Sequence, residues 1–178
     1  MLRFLLTHQG ADMGSTIYIA LPLMAVLAVL QTAVFSRLPI LNTVPQIILL
    51  ASISWGLLRG VTEGVVWAFI GGFILVLFTI APMGLTAVSY ITAVFTTIWL
   101  QESLPKSSFF IPLALAGFAT IIATIVYQLG ARLLGYAFSV QTLTTLPQAI
   151  LLNIMVMMPM YWAMSALYNL LRPRRVYL

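Results

Sequence analysis

Charged residues are too scarce in this chain to cover the surface of a water-soluble domain. The 178 residues are 62% hydrophobic and only 6% charged, whereas a soluble domain carries about 25% charged residues. The chain therefore needs the lipid bilayer as its solvent. Its apolar runs predict α-helices, because hydrocarbon offers no hydrogen-bond partner to a free backbone group. They are too long and too evenly apolar for the alternating strands of a β-barrel.

Six apolar segments reach the roughly 20 residues that cross a bilayer, or come close to that length. They cover 17–36, 44–59, 62–81, 83–102, 109–134 and 145–171. The second is short for a span, and the last two are long enough to tilt, kink or protrude. We predict an all-α integral membrane protein with a partly ordered N-terminal tail at 1–16, a six-helix transmembrane domain at 17–171 and a basic C-terminal tail at 172–178. The first segment ends without a small-x-small cleavage site, so we expect a retained helix and not a signal peptide.

The basic residues indicate an orientation. With six spans both termini lie on one side of the membrane, and the excess of Lys and Arg marks the cytoplasmic side. That side collects Arg3, Arg59, Lys106, Arg172, Arg174 and Arg175, against Arg37 and Arg132 on the other. We therefore predict cytoplasmic termini. The basic residues form no patch interleaved with aromatics, so we expect no nucleic-acid partner.

The residues needed for catalysis inside a membrane are missing from the predicted spans. The chain has no cysteine and one histidine, His8, which lies in the tail. Its three acids are Asp12, Glu63 and Glu102, at or outside the span ends. None of these residues has metal-ligand spacing, and a serine without a nearby base is a weak nucleophile. We predict no enzyme activity, cofactor or metal. Ion-coupled transport is also disfavoured, because it usually leaves an ionisable residue within a span.

The stretch 55–90 carries the most informative polar residues. Arg59 and Glu63 lie four residues apart in the turn between two apolar segments. They could form an ion pair that faces a partner. The simpler alternative is two unrelated interfacial charges, with Arg59 on the cytoplasmic side and Glu63 favouring a helix N-terminus, because Arg before Glu is the weaker order for an i,i+4 pair.

A stripe of small residues follows on the next helix. Gly64, Ala68 and Gly72 recur at i, i+4 and i+8, and Gly71 extends the stripe. Residues at this spacing share one helix face, where another backbone can approach closely. The stripe could pack within the chain or against another protein, and internal packing is the simpler alternative.

Two of the amides within the predicted spans, Asn153 and Gln31, are expected to be buried. Asn153 in the sixth segment is expected to hydrogen-bond another helix, and Pro159 should kink that helix. Gln31 in the first segment could pair with Asn153 or with a polar residue elsewhere. The methionines around Pro159 either face lipid or form an adaptable surface. They are Met155, Met157, Met158, Met160 and Met164.

A set of residues spread over nearly the whole chain resembles the MreD family of rod shape-determining membrane proteins. The matching positions are Leu30-Gln31, Pro45, Trp55, Arg59-Gly60, Glu63-Gly64, Gly72, Pro82-Met83-Gly84 and Tyr90. The family tends to show Pro-Asp where this chain has Pro45-Gln46. It also tends to show an aspartate late in the third helix, where this chain has Val76. This second departure removes the one intramembrane acid that the family pattern would supply.

The resemblance implies a non-catalytic scaffold of the bacterial cell-elongation machinery in the inner membrane. Proteins of this family bind MreC, a single-span protein, in a complex with MreB, RodA and a class B penicillin-binding protein. Their fold is similar to the six-helix substrate-binding subunit of energy-coupling-factor transporters. We expect the partner-binding groove at Trp55, Arg59, Glu63, Gly64, Ala68, Gly72 and Tyr90.

The fold similarity also suggests an alternative function. The chain could be the small-solute-binding membrane subunit of such a transporter. This alternative predicts a pocket near the outer face, lined by aromatic and amide side chains such as Gln31, Tyr90 and Asn153.

Overall fold

A computed structural model describes the backbone of residues 2–35, 43–79, 84–104, 110–136 and 140–171, and side chains from residue 16 onward within these ranges. The connections expected between the predicted segments at 37–43, 81–84 and 105–108 and the tail at 172–178 therefore lie wholly or largely outside the described residues. The family positions Pro82-Met83-Gly84 fall mostly there, and Arg172, Arg174 and Arg175, which were used to predict the orientation, fall entirely there.

The described chain is built from helices. They are α1 (Leu2–Val29) followed directly by a π-helical segment (Leu30–Phe35), α2 (Ile47–Arg59), α3 (Val61–Leu77), α4 (Leu85–Glu102), α5 (Ile111–Leu133), the short α6 (Val140–Thr144) and α7 (Leu146–Leu171). The predicted segments coincide with these helices to within a few residues at most ends. The exceptions are the start of α1 and the end of α3.

Helix α2 is the centre of the bundle. Its residues are buried without interruption from Ile47 to Gly56, and it contacts each of the five other long helices. A helix that is apolar on every side is one surrounded by protein or lipid. Here protein surrounds it, which explains how a helix of only 13 residues is accommodated in a membrane protein. The other long helices surround α2. They contact one another in the order α1, α3, α4, α5 and α7.

Three described helices are long and apolar enough to cross a membrane. They are Thr16–Phe35, Ile111–Leu133 and Leu146–Leu171, while α2 and α3 are apolar but shorter. The all-helical class is confirmed. The count of six membrane crossings stays a prediction, and so does the similarity to the transporter subunit.

The N-terminal end differs from its predicted form. We expected a partly ordered tail before residue 17, but α1 begins at Leu2 and is continuous through that boundary. The apolar part of this helix, Thr16–Phe35, still agrees with the predicted span at 17–36.

Candidate functional site

The turn between α2 and α3 is made by a single glycine. Gly60 has φ of 103°, which L-residues with a side chain rarely adopt. Its backbone N–H donates to the carbonyl of Gly56 at 2.7 Å, and its own carbonyl accepts from Gly64 at 3.2 Å. The turn thus ends one helix and begins the next without a loop, and it brings the last turn of α2 beside the first turn of α3.

Arg59 and Glu63 form an ion pair across this turn. The Nε of Arg59 lies 3.0 Å from Oε1 and 3.1 Å from Oε2 of Glu63. The indole Nε1 of Trp55 also donates to Oε2 of Glu63 at 2.9 Å. The side chains of Arg59 and Glu63 are 26% and 14% exposed. Of the two alternatives that the sequence left open, the structure therefore shows the ion pair and not two unrelated charges.

Aromatic rings surround the ion pair. The indoles of Trp55 and Trp67 stack with centroids 4.3 Å apart, and the Tyr168 ring of α7 meets Trp55 edge-on at 6.3 Å. The guanidinium carbon of Arg59 lies 5.8 Å from the centroid of Tyr168, within cation–π range. We call Trp55, Arg59, Glu63, Trp67 and Tyr168 the Arg59–Glu63 cluster. It ties α2, α3 and α7 together at one end of the bundle.

Replacing Glu63 should separate the role of its charge from the role of its hydrogen bonds. Glu63→Gln keeps an acceptor for Trp55, and a partly exposed ion pair is worth about 0–1 kcal/mol, so we expect a small loss of stability. Glu63→Ala leaves the buried Trp55 N–H unpaired, which should cost about 1–2 kcal/mol. The thermal unfolding midpoint of the protein in detergent measures both effects. An equal decrease for the two variants would show that the charge and not the acceptor is what matters.

The small-residue stripe faces the inside of the bundle. A Cβ on Gly64 would lie 2.8 Å from Cα of Gly56, and a Cβ on Gly72 would lie 2.6 Å from Cα of Ala87 in α4. Ala68, between them, is fully buried. Gly71 is also covered, because a Cβ there would lie 2.9 Å from the sulfur of Met24 in α1. Internal packing is therefore the correct alternative, and α3 uses this face to approach its own neighbours.

Tyr90 lies apart from the other predicted site residues. It is buried on α4 and lines a partly open cavity of about 200 Å³ at the opposite end of the bundle, near the start of α2. Tyr90 is hydrogen-bonded to the side chain of Gln31, and Gln31 accepts from the backbone N–H of Ile48 at 3.2 Å. We call this space the Gln46 cavity, after the residue that precedes α2. Its described lining includes Gln46, Thr86, Ser89, Tyr90, Thr124 and Tyr127.

Asn153 joins three helices beside this cavity. Its Oδ1 accepts from the backbone N–H of Gln46 at 2.9 Å, and its Nδ2 donates to Oγ1 of Thr120 in α5 at 2.9 Å. The expected interhelical hydrogen bond is therefore confirmed. Of the two alternatives for Gln31, a polar residue elsewhere is correct and Asn153 is not. Gln31 is bonded to Tyr90 of α4 and to the N–H of Ile48, whereas Asn153 is bonded to the N–H of Gln46, just before α2.

The methionines of α7 divide between the two interpretations. Met155 is 62% exposed, as expected for a residue that faces lipid. Met157 and Met164 are buried, and Met157 packs in the core beside Ser54, whose hydroxyl lies 3.8 Å from the sulfur. The helix continues through Pro159 to Leu171, and the kink at that residue stays a prediction.

Sequence reasoning missed the residues that complete both polar regions. Trp67 follows Glu63 by four residues, so helical spacing alone could have added it to the cluster. Tyr168 comes close to its partners only through tertiary packing, and no local pattern marks it. Gln46 stood out in the sequence only as a departure from the family pattern, which gave no indication of its bond to Asn153. Within the described part of the chain, no three His, Cys, Asp or Glu side chains could hold a metal ion.

Comparison with known families gives one result. The sequence profile for rod shape-determining protein MreD matches residues 13–171, which include every helix described above from the second half of α1 onward. Neither the curated proteins nor the solved structures give a significant match. Because the profile spans most of the chain, and because the helices are apolar enough for a membrane, this chain belongs to the MreD family of rod shape-determining membrane proteins.

Proposed function

We propose that this chain is a non-catalytic membrane scaffold of the cell-elongation machinery that binds an MreC-like single-span protein. The observation that carries the proposal is the match to the shape-determining family over residues 13–171. The bundle supports a structural role, because the side-chain hydrogen bonds of Glu63 and Asn153 join one helix to another. The other proposed members of the complex are RodA, a class B penicillin-binding protein and MreB. The proposed location is the bacterial inner membrane with both termini in the cytoplasm.

We infer that the partner contacts the outer side of α3. The inner side, with Gly64, Ala68 and Gly72, is filled by this chain's own helices. Phe69 and Phe73 each lie one residue beyond a stripe position, are 53% and 51% exposed, and stack with centroids 6.3 Å apart. Large aromatic side chains are common anchors at interfaces. Arg59 and Glu63, at the turn from α2 into α3, are the predicted site residues that a polar segment next to the partner's span could reach.

A pull-down in mild detergent tests the proposal. The tagged protein, purified from its native membrane, should recover a single-span protein with a coiled coil outside the span in stoichiometric amount. The double variant Phe69→Ala/Phe73→Ala should lower this recovery at least about tenfold, as expected when interface anchors that contribute more than 1.4 kcal/mol are lost. The recovered proteins are identified by mass spectrometry and quantified against the bait.

The matched control is Leu129→Ala on α5, at a position that is 57% exposed on another helix. It should leave the recovery unchanged. Full recovery with the double phenylalanine variant would contradict the contact with α3 and leave the scaffold function standing. Recovery of ATPase subunits in place of a single-span protein would contradict the scaffold and favour the small-solute-binding transporter subunit.

A further inference from the structure

Trp162 is exposed well inside the length of α7 that can cross a membrane. It is 66% exposed and lies about 13 Å before the end of α7 at Leu171, at 1.5 Å per residue. The helix is about 39 Å long and the hydrocarbon core is about 30 Å thick, so the indole ring lies in hydrocarbon. Trp99 is equally exposed, but it lies within one turn of the end of α4 at Glu102. That is the depth at which tryptophan usually meets the membrane surface.

The indole N–H of Trp162 has no acceptor among the residues that the structure describes. A tryptophan removed from water usually finds a partner for this group, and lipid chains offer none. The outer face of α7 therefore carries an unused hydrogen-bond donor.

Pro159 leaves an unused acceptor on the same face. It lies inside α7 and has no N–H, so the carbonyl of Met155, four residues earlier, has no intrahelical donor. Met155 and Pro159 are both exposed, and residues four apart share one face of a helix. The freed carbonyl therefore lies on the lipid side of α7, where an unpaired backbone group is costly.

The proline inside α1 does not create the same situation. Pro22 frees the carbonyl of Tyr18 in the same way. Tyr18, however, lies only two residues inside the apolar stretch Thr16–Phe35. Water and lipid headgroups reach that end of the stretch, so the carbonyl of Tyr18 needs no protein partner.

The donor and the acceptor of α7 lie at nearly the same depth. Met155, Pro159, Trp162 and Ala166 are all exposed and fall within about 60° of arc, at 100° per residue. The Cα atoms of Met155 and Trp162 are about 10 Å apart along the axis. A helix carbonyl points toward the C-terminal end, and a long side chain leans over the turn that precedes it. Both groups therefore converge on the level of Pro159.

We propose that this face of α7 is the interface of a homodimer, in which two copies of the chain pack α7 against α7. All copies enter the membrane in one orientation, so a twofold axis along the membrane normal places the same residues at the same depth. Each Trp162 then donates to the Met155 carbonyl of the other copy, and Ala166 is small enough to let the helices approach. A different helix would need its own donor and acceptor at this depth, whereas this chain already carries both.

Cysteine cross-linking tests the interface directly, because the chain has no cysteine of its own. Ala166→Cys should form a disulfide-linked dimer when isolated membranes are mildly oxidised, since a disulfide needs Cβ atoms about 3.5–4.5 Å apart. The control is Leu129→Cys at an exposed position of α5, which should remain monomeric. A non-reducing gel measures the fraction of each variant that runs at twice the mass of the chain.

Two substitutions test the hydrogen bonds. Trp162→Phe keeps an aromatic ring but removes the donor, and Pro159→Ala gives the Met155 carbonyl an intrahelical donor. Each should raise the dissociation constant of the dimer about tenfold, because two symmetry-related bonds are lost together. Both changes remove the same bonds, so the double variant should dissociate no more readily than either single variant. Energy transfer between fluorescently tagged copies in phosphatidylcholine vesicles, at increasing dilution in lipid, measures the constant. Trp99→Phe is the control and should dimerise as the native protein does.

Three results would overturn the proposal. The first is that Ala166→Cys gives no more dimer than Leu129→Cys does. The second is that a benzophenone cross-linker placed at position 166 joins the chain to a different protein or to lipid alone. The third is that Trp162→Phe dimerises as tightly as the native protein, or that its effect adds to that of Pro159→Ala. Each of these results concerns the outer face of α7 and leaves the proposed scaffold function and the proposed contact on α3 unaffected.

Discussion

Substituting Gly72 with alanine should destabilise the protein more than any other single-methyl addition considered. The new Cβ would lie 2.6 Å from Cα and 3.0 Å from the backbone nitrogen of Ala87, and a helix backbone cannot rotate away as a side chain can. Helices α3 and α4 would have to separate along their contact. Overpacking of this kind costs about 1–3 kcal/mol, of which the better helix propensity of alanine offsets at most about 1 kcal/mol. Gly72→Leu should abolish folding, measured as the yield of monodisperse protein in detergent.

Gly117→Ala is the matched control for this prediction. Its Cβ would meet only side-chain atoms, Cδ1 of Ile154 at 3.3 Å and Cγ2 of Ile150 at 3.4 Å. These terminal methyl groups can move by a few tenths of an ångström, so the midpoint should change little. The two variants are compared by thermal unfolding followed through tryptophan fluorescence. Equal midpoints for both would mean that α3 and α4 are not held as closely as the structure indicates.

This prediction changes how the partner-binding face should be tested. Gly64→Leu or Gly72→Leu would reduce copurification of a partner even if the partner never touched these residues, because the bundle itself would be damaged. Loss of binding in such variants would therefore not identify a docking face. The exposed pair Phe69 and Phe73 avoids this ambiguity, since their removal opens no cavity inside the bundle.

Most of the helices could be predicted from the sequence, because the length of an apolar run and the turn residues that end it are local properties. The apolar runs at 44–59 and 145–171 end where α2 and α7 end, at Arg59 and Leu171. The Arg59-Gly60 pair marked a tight turn, and only the conformational freedom of Gly60 explains why α3 begins at once. The family resemblance rested on scattered Gly, Pro and aromatic positions, and the match over residues 13–171 confirms it.

Whether an apolar helix face contacts lipid or another helix could not be predicted from the sequence. In water, an apolar face points to the core, but in a bilayer lipid and protein are equally suitable surroundings. The sequence of α2 therefore looks like that of a lipid-facing helix, although it is buried from Ile47 to Gly56. The same limit explains why the sequence left open whether the stripe on α3 packs within the chain or against a partner. Of the residues expected to line a solute pocket, Tyr90 lines the Gln46 cavity, whereas Gln31 and Asn153 are not among its described lining residues.

Asn153→Leu should be the most damaging substitution of a polar residue in the bundle. Leucine has the same branching and the same number of side-chain heavy atoms as asparagine, so the substitution opens no cavity, although the leucine side chain is the bulkier of the two. Both hydrogen bonds are lost, however, and the backbone N–H of Gln46 at the start of α2 is left without an acceptor. A single interhelical hydrogen bond in a membrane protein contributes on average about 0.6 kcal/mol, and an unpaired buried amide costs about 1–3 kcal/mol. We expect a loss near the upper part of that range, because Asn153 is fully buried and water cannot replace it.

The control lies on the same helix. Asn169→Leu changes an exposed asparagine near the end of α7 and should shift the unfolding midpoint by much less than Asn153→Leu does. Thr120→Val removes only one of the two bonds to Asn153 and should give an intermediate decrease, since the bond to Gln46 is retained. If Asn153→Leu were as stable as the native protein, the amide would not be holding α2 between α5 and α7. The start of α2 and the cavity beside it would then depend on apolar packing alone.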